Sequence, residues 1–327
     1  MTEPVVEIRE LTVEFEHREG FRRVQTTAVN DVDLEIGPGE TLGLVGESGS
    51  GKTTIGRAIL RLLTPSAGHI RVADHDVTGF GTHPPLDFRR SAQVVFQDPL
   101  QSLNPRHRIG RTLGEALTIH LGIVGEERDE AVVGLLERVG LRAEHQRRYP
   151  TEFSGGQLQR IAIARALAPK PELIVMDEAV SALDATTTAR ILALFEELHT
   201  STTAYLFIAH DLAVVRHISD RIAVMYRGRI VEIGTADEIC DRPQHPYTQL
   251  LVRSIPDPDP VIQRQRREKR GQAESTAVEI PTDGCPFRPR CDLAVDACAS
   301  VFPAMSTIGT TEVACHVVAS NLAKSPA

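Results

Sequence analysis

Apolar and polar positions follow two rhythms along this chain. From Val5 to Phe15 they alternate loosely, which predicts a strand; Val29 to Ile36 predicts a second, closed by the turn Gly37-Pro38-Gly39. The polar residues 16–28 between them predict a loop or hairpin. Thr41–Val45 is a short apolar strand running into a glycine-rich segment, and Thr53–Leu63 reads as a helix ended by Pro65. His69–Val72 and Gln93–Phe96 read as further strands. Between 100 and 168 the spacing turns helical, at Val132, Val133, Leu135, Leu136 and Val139, then at Ile161, Ala162, Ala164, Arg165 and Leu167. Strand-like runs return at Leu173–Met176, Ala204–Ile208 and Arg221–Met225, with a helical pattern over Ala185–Leu198. Alternating buried strands and helices predict an α/β core with a mostly parallel sheet, and the block 100–168 reads as a helical insertion.

The periodicity stops at Ile255-Pro256-Asp257-Pro258-Asp259-Pro260. Residues 256–283, with the basic run Arg264–Arg270, read as a linker, and 284–327 as a small cysteine-bearing tail. The expected division is therefore 1–255, 256–283 and 284–327. Composition adds constraints. The chain has 327 residues, 41% hydrophobic and 24% charged, as a globular protein would. Its net charge of −8 argues against a general nucleic-acid binder. No run of 18 apolar residues predicts a membrane span, and the start lacks the pattern of a secretory signal. Four of the five cysteines lie in the tail, which suits a metal cluster in a reducing compartment better than a disulfide scaffold.

The segment Gly46-Glu47-Ser48-Gly49-Ser50-Gly51-Lys52-Thr53, with Thr54 after it, matches G-x-x-x-x-G-K-[ST] between a strand and a helix. Glycines let backbone N–H groups wrap a phosphate, and the helix N-terminus adds positive potential. Lys52 would reach the β- and γ-phosphates and Thr53 would bind Mg²⁺. The apolar strand Leu173–Met176 ends in Asp177-Glu178. Asp177 suits Mg²⁺, and Glu178 suits a base or water-orienting residue for attack on the γ-phosphate. Ser154-Gly155-Gly156-Gln157 opens a helix with Ser154 suited to cap it. Taken singly, Gln97 and His210 are ordinary residues after strands. Cys285, Cys291, Cys298 and Cys315 offer four thiolates that suit a [4Fe–4S] cluster or Zn²⁺, with metal-free thiols as the third reading. Cys240 reads as a buried core residue.

The order of these motifs along residues 5–255 resembles the nucleotide-binding subunit of an ATP-binding cassette (ABC) transporter. That resemblance implies a P-loop NTPase fold with an antiparallel β-subdomain and a helical insertion, and ATP hydrolysis. It implies that Gln97 contacts Mg²⁺ and the attacking water, so that Thr53, Gln97 and Asp177 surround the ion, and that His210 contacts the γ-phosphate. Ser154, Gly155, Gly156 and Gln157 would serve the ATP held by the opposite subunit, although Phe153 stands where the family usually has Leu. Ser181-Ala182-Leu183-Asp184 resembles the loop that communicates across that interface, and Phe15 stands at the adenine-stacking position, where a core role is the other reading. Two further segments, Phe96–Arg106 and Pro243-Gln244-His245-Pro246-Tyr247-Thr248, resemble the oligopeptide/dipeptide permease ATP-binding subunits. Those power import of peptides, and some relatives that of nickel or other small solutes. They work in ATPase pairs, of one chain or of two sister chains, peripheral at the cytoplasmic face under two membrane permeases, with a separate solute-binding protein and no nucleic acid. In that group a tail of this kind implies an iron–sulfur cluster. A soluble ABC ATPase acting on nucleic acid or ribosomes is the alternative, disfavoured by a single cassette without sustained heptads.

Overall fold

The computed structural model describes residues 3–19, 22–255 and 283–324. The chain forms two compact units, Met1–Leu42 with Thr53–Ala209, and Gly43–Lys52 with His210–Ala327. The expected linker lies, save for Asp283, outside the described residues.

In the first unit, β1 (Val6–Glu19) and β2 (Arg22–Ile36) form a long antiparallel pair, so the polar stretch 16–28 is the continuation of a hairpin. β4 (Ala67–Val72) and β5 (His75–Asp76) complete a four-stranded sheet in the order β2-β1-β4-β5. The looseness of the first strand's alternation has a local cause. Its register shifts between Ile8 and Leu11, where Glu10 adopts φ 51°, a bulge that puts Ile8 and Leu11 on the buried face despite their odd spacing. β3 (Thr41–Val45) is divided, its first two residues in this unit and Gly43–Val45 in the other. The unit's second sheet runs β3-β8-β7-β6. Here β6 (Ala92–Val95), β7 (Leu173–Asp177) and β8 (Ala204–Ala209) are parallel, with Val95 opposite Met176 and Met176 opposite Phe207. Residues Leu173–Met176 and all of β8 are buried, which is why these strands read as unbroken apolar runs.

Helix α1 (Lys52–Ile59) is shorter than the apolar spacing predicts. Arg61 turns left-handed at φ 54°, the Arg61 N–H bonds the Ala58 carbonyl, and the Leu62 N–H bonds the Arg57 carbonyl. This double closure satisfies the last carbonyls and stops the helix before Leu63. After α2 (Leu86–Ser91), the insertion comprises α3 (Pro99–Ser102), α4 (Ile109–Leu121), α5 (Gly125–Arg138) and α6 (Gly155–Leu167). It buries Ile109, Leu113, Leu117, Val132, Leu136 and Ile161. α7 (Ala185–Leu198) follows β7.

In the second unit the strand order is β11-β12-β10-β9-β3. β9 (Arg221–Tyr226) and β10 (Arg229–Thr235) form a tight hairpin whose two turn residues, Arg227 and Gly228, both have positive φ (45° and 84°), the geometry that matches strand twist. The tail supplies β11 (Ser306–Ile308) and β12 (Thr311–Val313), and β12 pairs with β10, Glu232 opposite Val313. An otherwise open sheet edge is thereby covered. Helices α8 (Leu212–Ile218), α9 (Ala236–Asp241), α10 (Pro246–Ser254) and α11 (His316–Lys324) complete it.

Candidate functional site

The glycine loop follows β3 and feeds α1. Gly46 is fixed by crowding, since a Cβ there would stand 2.1 Å from the Met225 carbonyl oxygen. The Gly228 N–H donates to the Ser50 carbonyl at 2.8 Å, which ties the loop to the β9–β10 turn. Lys52 is buried, and its Nζ donates to the carbonyls of Gly46 (2.8 Å) and Glu47 (2.9 Å). The ammonium is thus gathered into the concave side of its own loop. Ser48 and Gly49 are exposed.

Within the first unit, the Thr53 hydroxyl donates to Asp177 Oδ1 at 2.8 Å, across 124 residues of sequence. A hydroxyl and a carboxylate oxygen held side by side are hard oxygen donors of the kind Mg²⁺ takes. Glu178, next in the chain, is half-buried and holds a left-handed backbone at φ 50°, with its N–H on the Ile208 carbonyl at 3.0 Å. For a non-glycine residue that conformation costs on the order of 1 kcal/mol, and such strain gathers at working sites. Gln97 Nε2 donates to Ser181 Oγ at 3.2 Å, and Ser181 Oγ donates to the Glu178 carbonyl at 2.9 Å. Three residues predicted separately from sequence are therefore joined in one chain of hydrogen bonds. His210 is exposed and immediately follows β8.

Ser154 caps α6 reciprocally. The Gln157 N–H donates to Ser154 Oγ at 3.4 Å, and the Ser154 N–H donates to Gln157 Oε1 at 3.1 Å. Gly156 faces Thr187, whose Cγ2 would lie 2.5 Å from a Cβ, and Gly155 faces Leu183. The helix start and the Ser181–Asp184 loop are thus packed side by side, with Ser154, Gly155, Ser181, Ala182 and Asp184 exposed. Asp184 caps α7, accepting from the Thr187 N–H (3.0 Å) and hydroxyl (2.7 Å). The Thr187 hydroxyl holds its carboxyl below the usual range. Phe15 lies on β1 opposite Thr26, 45% exposed, so it is not a core residue.

In the tail, Cys285, Cys298 and Cys315 are buried, Cys291 is half-buried, and all are free thiols. Burial pushes the Cys285 thiol up to about 11, and the nearby Cys298, Cys291 and Cys315 push the same way. The four are therefore within electrostatic reach of one another. Among the described residues, however, no group of three or more His, Cys, Asp or Glu side chains converges as ligands of a metal would. The iron–sulfur expectation is not met by this arrangement, because proximity in a turn-rich segment does not by itself aim four sulfurs at one point. His316 bonds its ring nitrogen to the Val301 carbonyl at 3.0 Å. Cys240 is buried in α9, and burial raises its thiol to about 11.

Two residues that sequence reasoning gave no role reach the glycine loop. The Glu47 N–H donates to the Tyr247 hydroxyl at 2.9 Å, and Arg290 Nη1 bonds both Glu47 carboxylate oxygens at 2.9 and 3.0 Å. Tyr247 belongs to the Pro243–Thr248 segment already singled out by resemblance, and Arg290 stands next to Cys291. No spacing rule links either to position 47.

Comparison with known proteins places these features in a family. The ABC transporter family profile matches residues 29–181, and the profile for the C-terminal region of oligopeptide/dipeptide transporters matches residues 231–298. The di/tripeptide transport ATP-binding protein DppF of Pseudomonas aeruginosa is 43% identical, over 96% of this chain and 98% of its own length. The oligopeptide transport ATP-binding protein OppF of Streptococcus mutans is 49% identical, over 75% of this chain and 80% of its own. Among solved structures, the dimeric ATP-binding cassette MJ0796, in a post-hydrolysis state bound to ADP and Pi, aligns with a TM-score of 0.63 and 28% identity, covering 71% of this chain and 98% of its own. With a glycine loop, an Asp-Glu strand end and a capped Ser-Gly-Gly-Gln helix on that cassette fold, the chain belongs to the ABC transporter ATP-binding subunits of the oligopeptide/dipeptide family.

Proposed function

We propose that the chain hydrolyses ATP to power import of peptides through a pair of membrane permeases at the cytoplasmic face, to which it binds peripherally. The observation that carries this reading is the Thr53–Asp177 hydrogen bond, which closes the phosphate loop's end onto the acid-tipped strand. A relative of near-full-length overlap named for di/tripeptide transport supports the solute class. The residues divide the work. Loop residues Gly46–Thr54, with Lys52, cradle the β- and γ-phosphates, and Thr53, Asp177 and Gln97 hold Mg²⁺, which when bound neutralises developing phosphate charge. Glu178 orients and deprotonates the attacking water, His210 steadies the γ-phosphate, and Phe15 offers its exposed ring to adenine. Ser154–Gln157 receive the γ-phosphate of the partner's ATP, so the site is complete only in a pair, as the dimeric cassette neighbour supports. The Gln97–Ser181–Glu178 hydrogen bonds give the helical insertion a route to the site.

The test is Glu178→Gln. Turnover is expected to fall by about 10² to 10⁴-fold, the share general-base catalysis contributes, while ATP binding remains. Hydrolysis near the parent rate would remove Glu178 from this role. A [4Fe–4S] cluster on Cys285, Cys291, Cys298 and Cys315 is the finer proposal for the tail. The thiols' mutual proximity supports it and their lack of convergence does not. Iron and sulfide content with a visible absorption band in anaerobically purified protein decides it.

A further inference from the structure

Position 47 is an unspecified x in G-x-x-x-x-G-K-T, yet this chain grips it three ways. Its carbonyl accepts from Lys52 Nζ, its N–H donates to the Tyr247 hydroxyl, and its carboxylate accepts from Arg290. The second and third grips come from parts of the chain outside the phosphate loop, and each is itself well anchored.

Tyr247 is fully buried. It follows a turn stapled to a buried carboxylate, Glu232 of β10, which accepts from the N–H groups of Gln244 (2.7 Å) and His245 (3.0 Å). His245 Nδ1 then accepts the Tyr247 N–H at 3.0 Å, capping α10. The Tyr247 ring packs at a tilt against Tyr226 (centroids 4.5 Å apart) and Phe287 (5.5 Å). Arg290 comes from the cysteine tail. Its N–H bonds the Phe287 carbonyl, and Arg288 bonds Cys285, so the turn between Cys285 and Cys291 presents its side chain. The guanidinium lies against the same aromatic group, 5.6 Å from the Phe287 centroid and 5.9 Å from that of Tyr226. Phe287 is 2% exposed, so the tail is wedged into the group that also holds Tyr247.

We propose that Tyr247 and Arg290 are positioning residues for the phosphate loop, through which the cysteine tail sets the subunit's affinity for ATP. When the phosphates of ATP draw Lys52 away from the Glu47 carbonyl, the other two grips keep the loop in its cradle shape. Loss of either lets the loop relax, and ATP must reorder it on binding. The inference rests on the reading of Gly46–Thr53 as the phosphate loop.

The experiment uses the assembled transporter and measures KM for ATP and kcat separately for Arg290→Ala, Arg290→Lys, Glu47→Gln, Tyr247→Phe and the Arg290→Ala/Glu47→Gln pair. Both partners of the ion pair are partly exposed, and pairs of that kind are worth up to about 1 kcal/mol, or about fivefold. Arg290→Ala is therefore expected to raise KM two- to fivefold, with kcat changed less than twofold. Arg290→Lys should recover part of the loss, and Glu47→Gln should raise KM in the same way. The double variant should be no worse than the worse single, because both remove one contact. Tyr247→Phe strands a part-buried donor and should raise KM more, by about tenfold. Glu47→Gln leaves the tail untouched, so it reads the contact even if Arg290→Ala loosens the tail. Unchanged KM in Arg290→Ala and Glu47→Gln, or single effects that multiply in the double, overturns the proposal. Lys52→Ala separates the two readings. Lost ATP binding there, with Arg290→Ala unaffected, removes the positioning role and leaves the phosphate loop standing. Unaffected binding in Lys52→Ala removes both.

Discussion

Glu232 and His245 are two buried ionisable residues of the second unit, 0% and 1% exposed, and a residue-level pH dependence follows from each. Burial pushes the His245 imidazole down to about 4 and raises the Glu232 carboxyl. For His245, an unfolded chain binds a proton below about pH 6.5 that the folded chain refuses until about 4. Stability therefore falls as pH drops through that window, by about 2 kcal/mol at pH 5. Glu232 acts in the opposite sense, since the folded chain keeps its proton to higher pH than the unfolded one, so its own contribution improves as pH drops through its titration. His245→Asn keeps a side-chain acceptor for the Tyr247 N–H and removes the imidazole titration. Its stability deficit in urea unfolding at pH 7 should narrow by pH 5; a deficit that stays constant would show that the imidazole does not titrate as placed. A second residue-level expectation concerns Gly46. A methyl group there meets a backbone oxygen at 2.1 Å, which no side-chain rotation relieves. Gly46→Ala should lower stability by about 2 kcal/mol or more and abolish ATP binding, whereas Gly49→Ala, with open space around the Cβ position, should keep more of its fold.

At the scale of elements, β12 illustrates both what holds the tail and what the sequence conceals. Val313 has no exposed surface and stands directly opposite Glu232. Val313→Asp would bury a carboxylate beside another and should cost about 3 kcal/mol or more, read as a lower unfolding midpoint; an unchanged midpoint would mean the tail strand contributes little. The parallel strands β7 and β8 were legible because burial on both faces makes them plain apolar runs. The motif residues stood out as candidates because phosphate chemistry limits which types work at which spacing. β10 escaped because Glu232 interrupts an otherwise apolar run of Ile230, Val231 and Ile233, and only the turn N–H groups of Gln244 and His245 explain a buried carboxylate there. β11 and β12 escaped because three-residue strands carry too few positions to show a period. The early stop of α1 escaped too, since Arg61 in a left-handed conformation is held by tertiary context and not by residue type. The contacts of Tyr247 and Arg290 with Glu47 span 200 and 243 residues, a separation at which one sequence carries no pairing signal.

At the scale of the whole molecule, the exposed helix start at Ser154 and the exposed loop Ser181–Asp184 are packed against one another through Gly155 with Leu183 and Gly156 with Thr187. The proposed function assigns this helix N-terminus with its two glycines to the phosphate of an ATP held by another chain, the kind of group such a terminus binds. A subunit whose catalytic step is blocked should therefore accumulate as a closed pair. Glu178→Gln with Mg-ATP is expected to shift from 35.8 kDa to twice that mass in light scattering coupled to size exclusion, and to return on removal of nucleotide. Gly156→Val, which drives a branched side chain into Thr187, should prevent the shift while leaving single-subunit ATP binding within about threefold, because on the proposed function this segment serves the partner's ATP and not the chain's own. If Glu178→Gln itself stays at the single-subunit mass with ATP but pairs with a co-expressed sister ATPase, the closing pair is heteromeric. If it pairs with neither, the signature segment does not act across an interface, and ATP must be hydrolysed within one subunit.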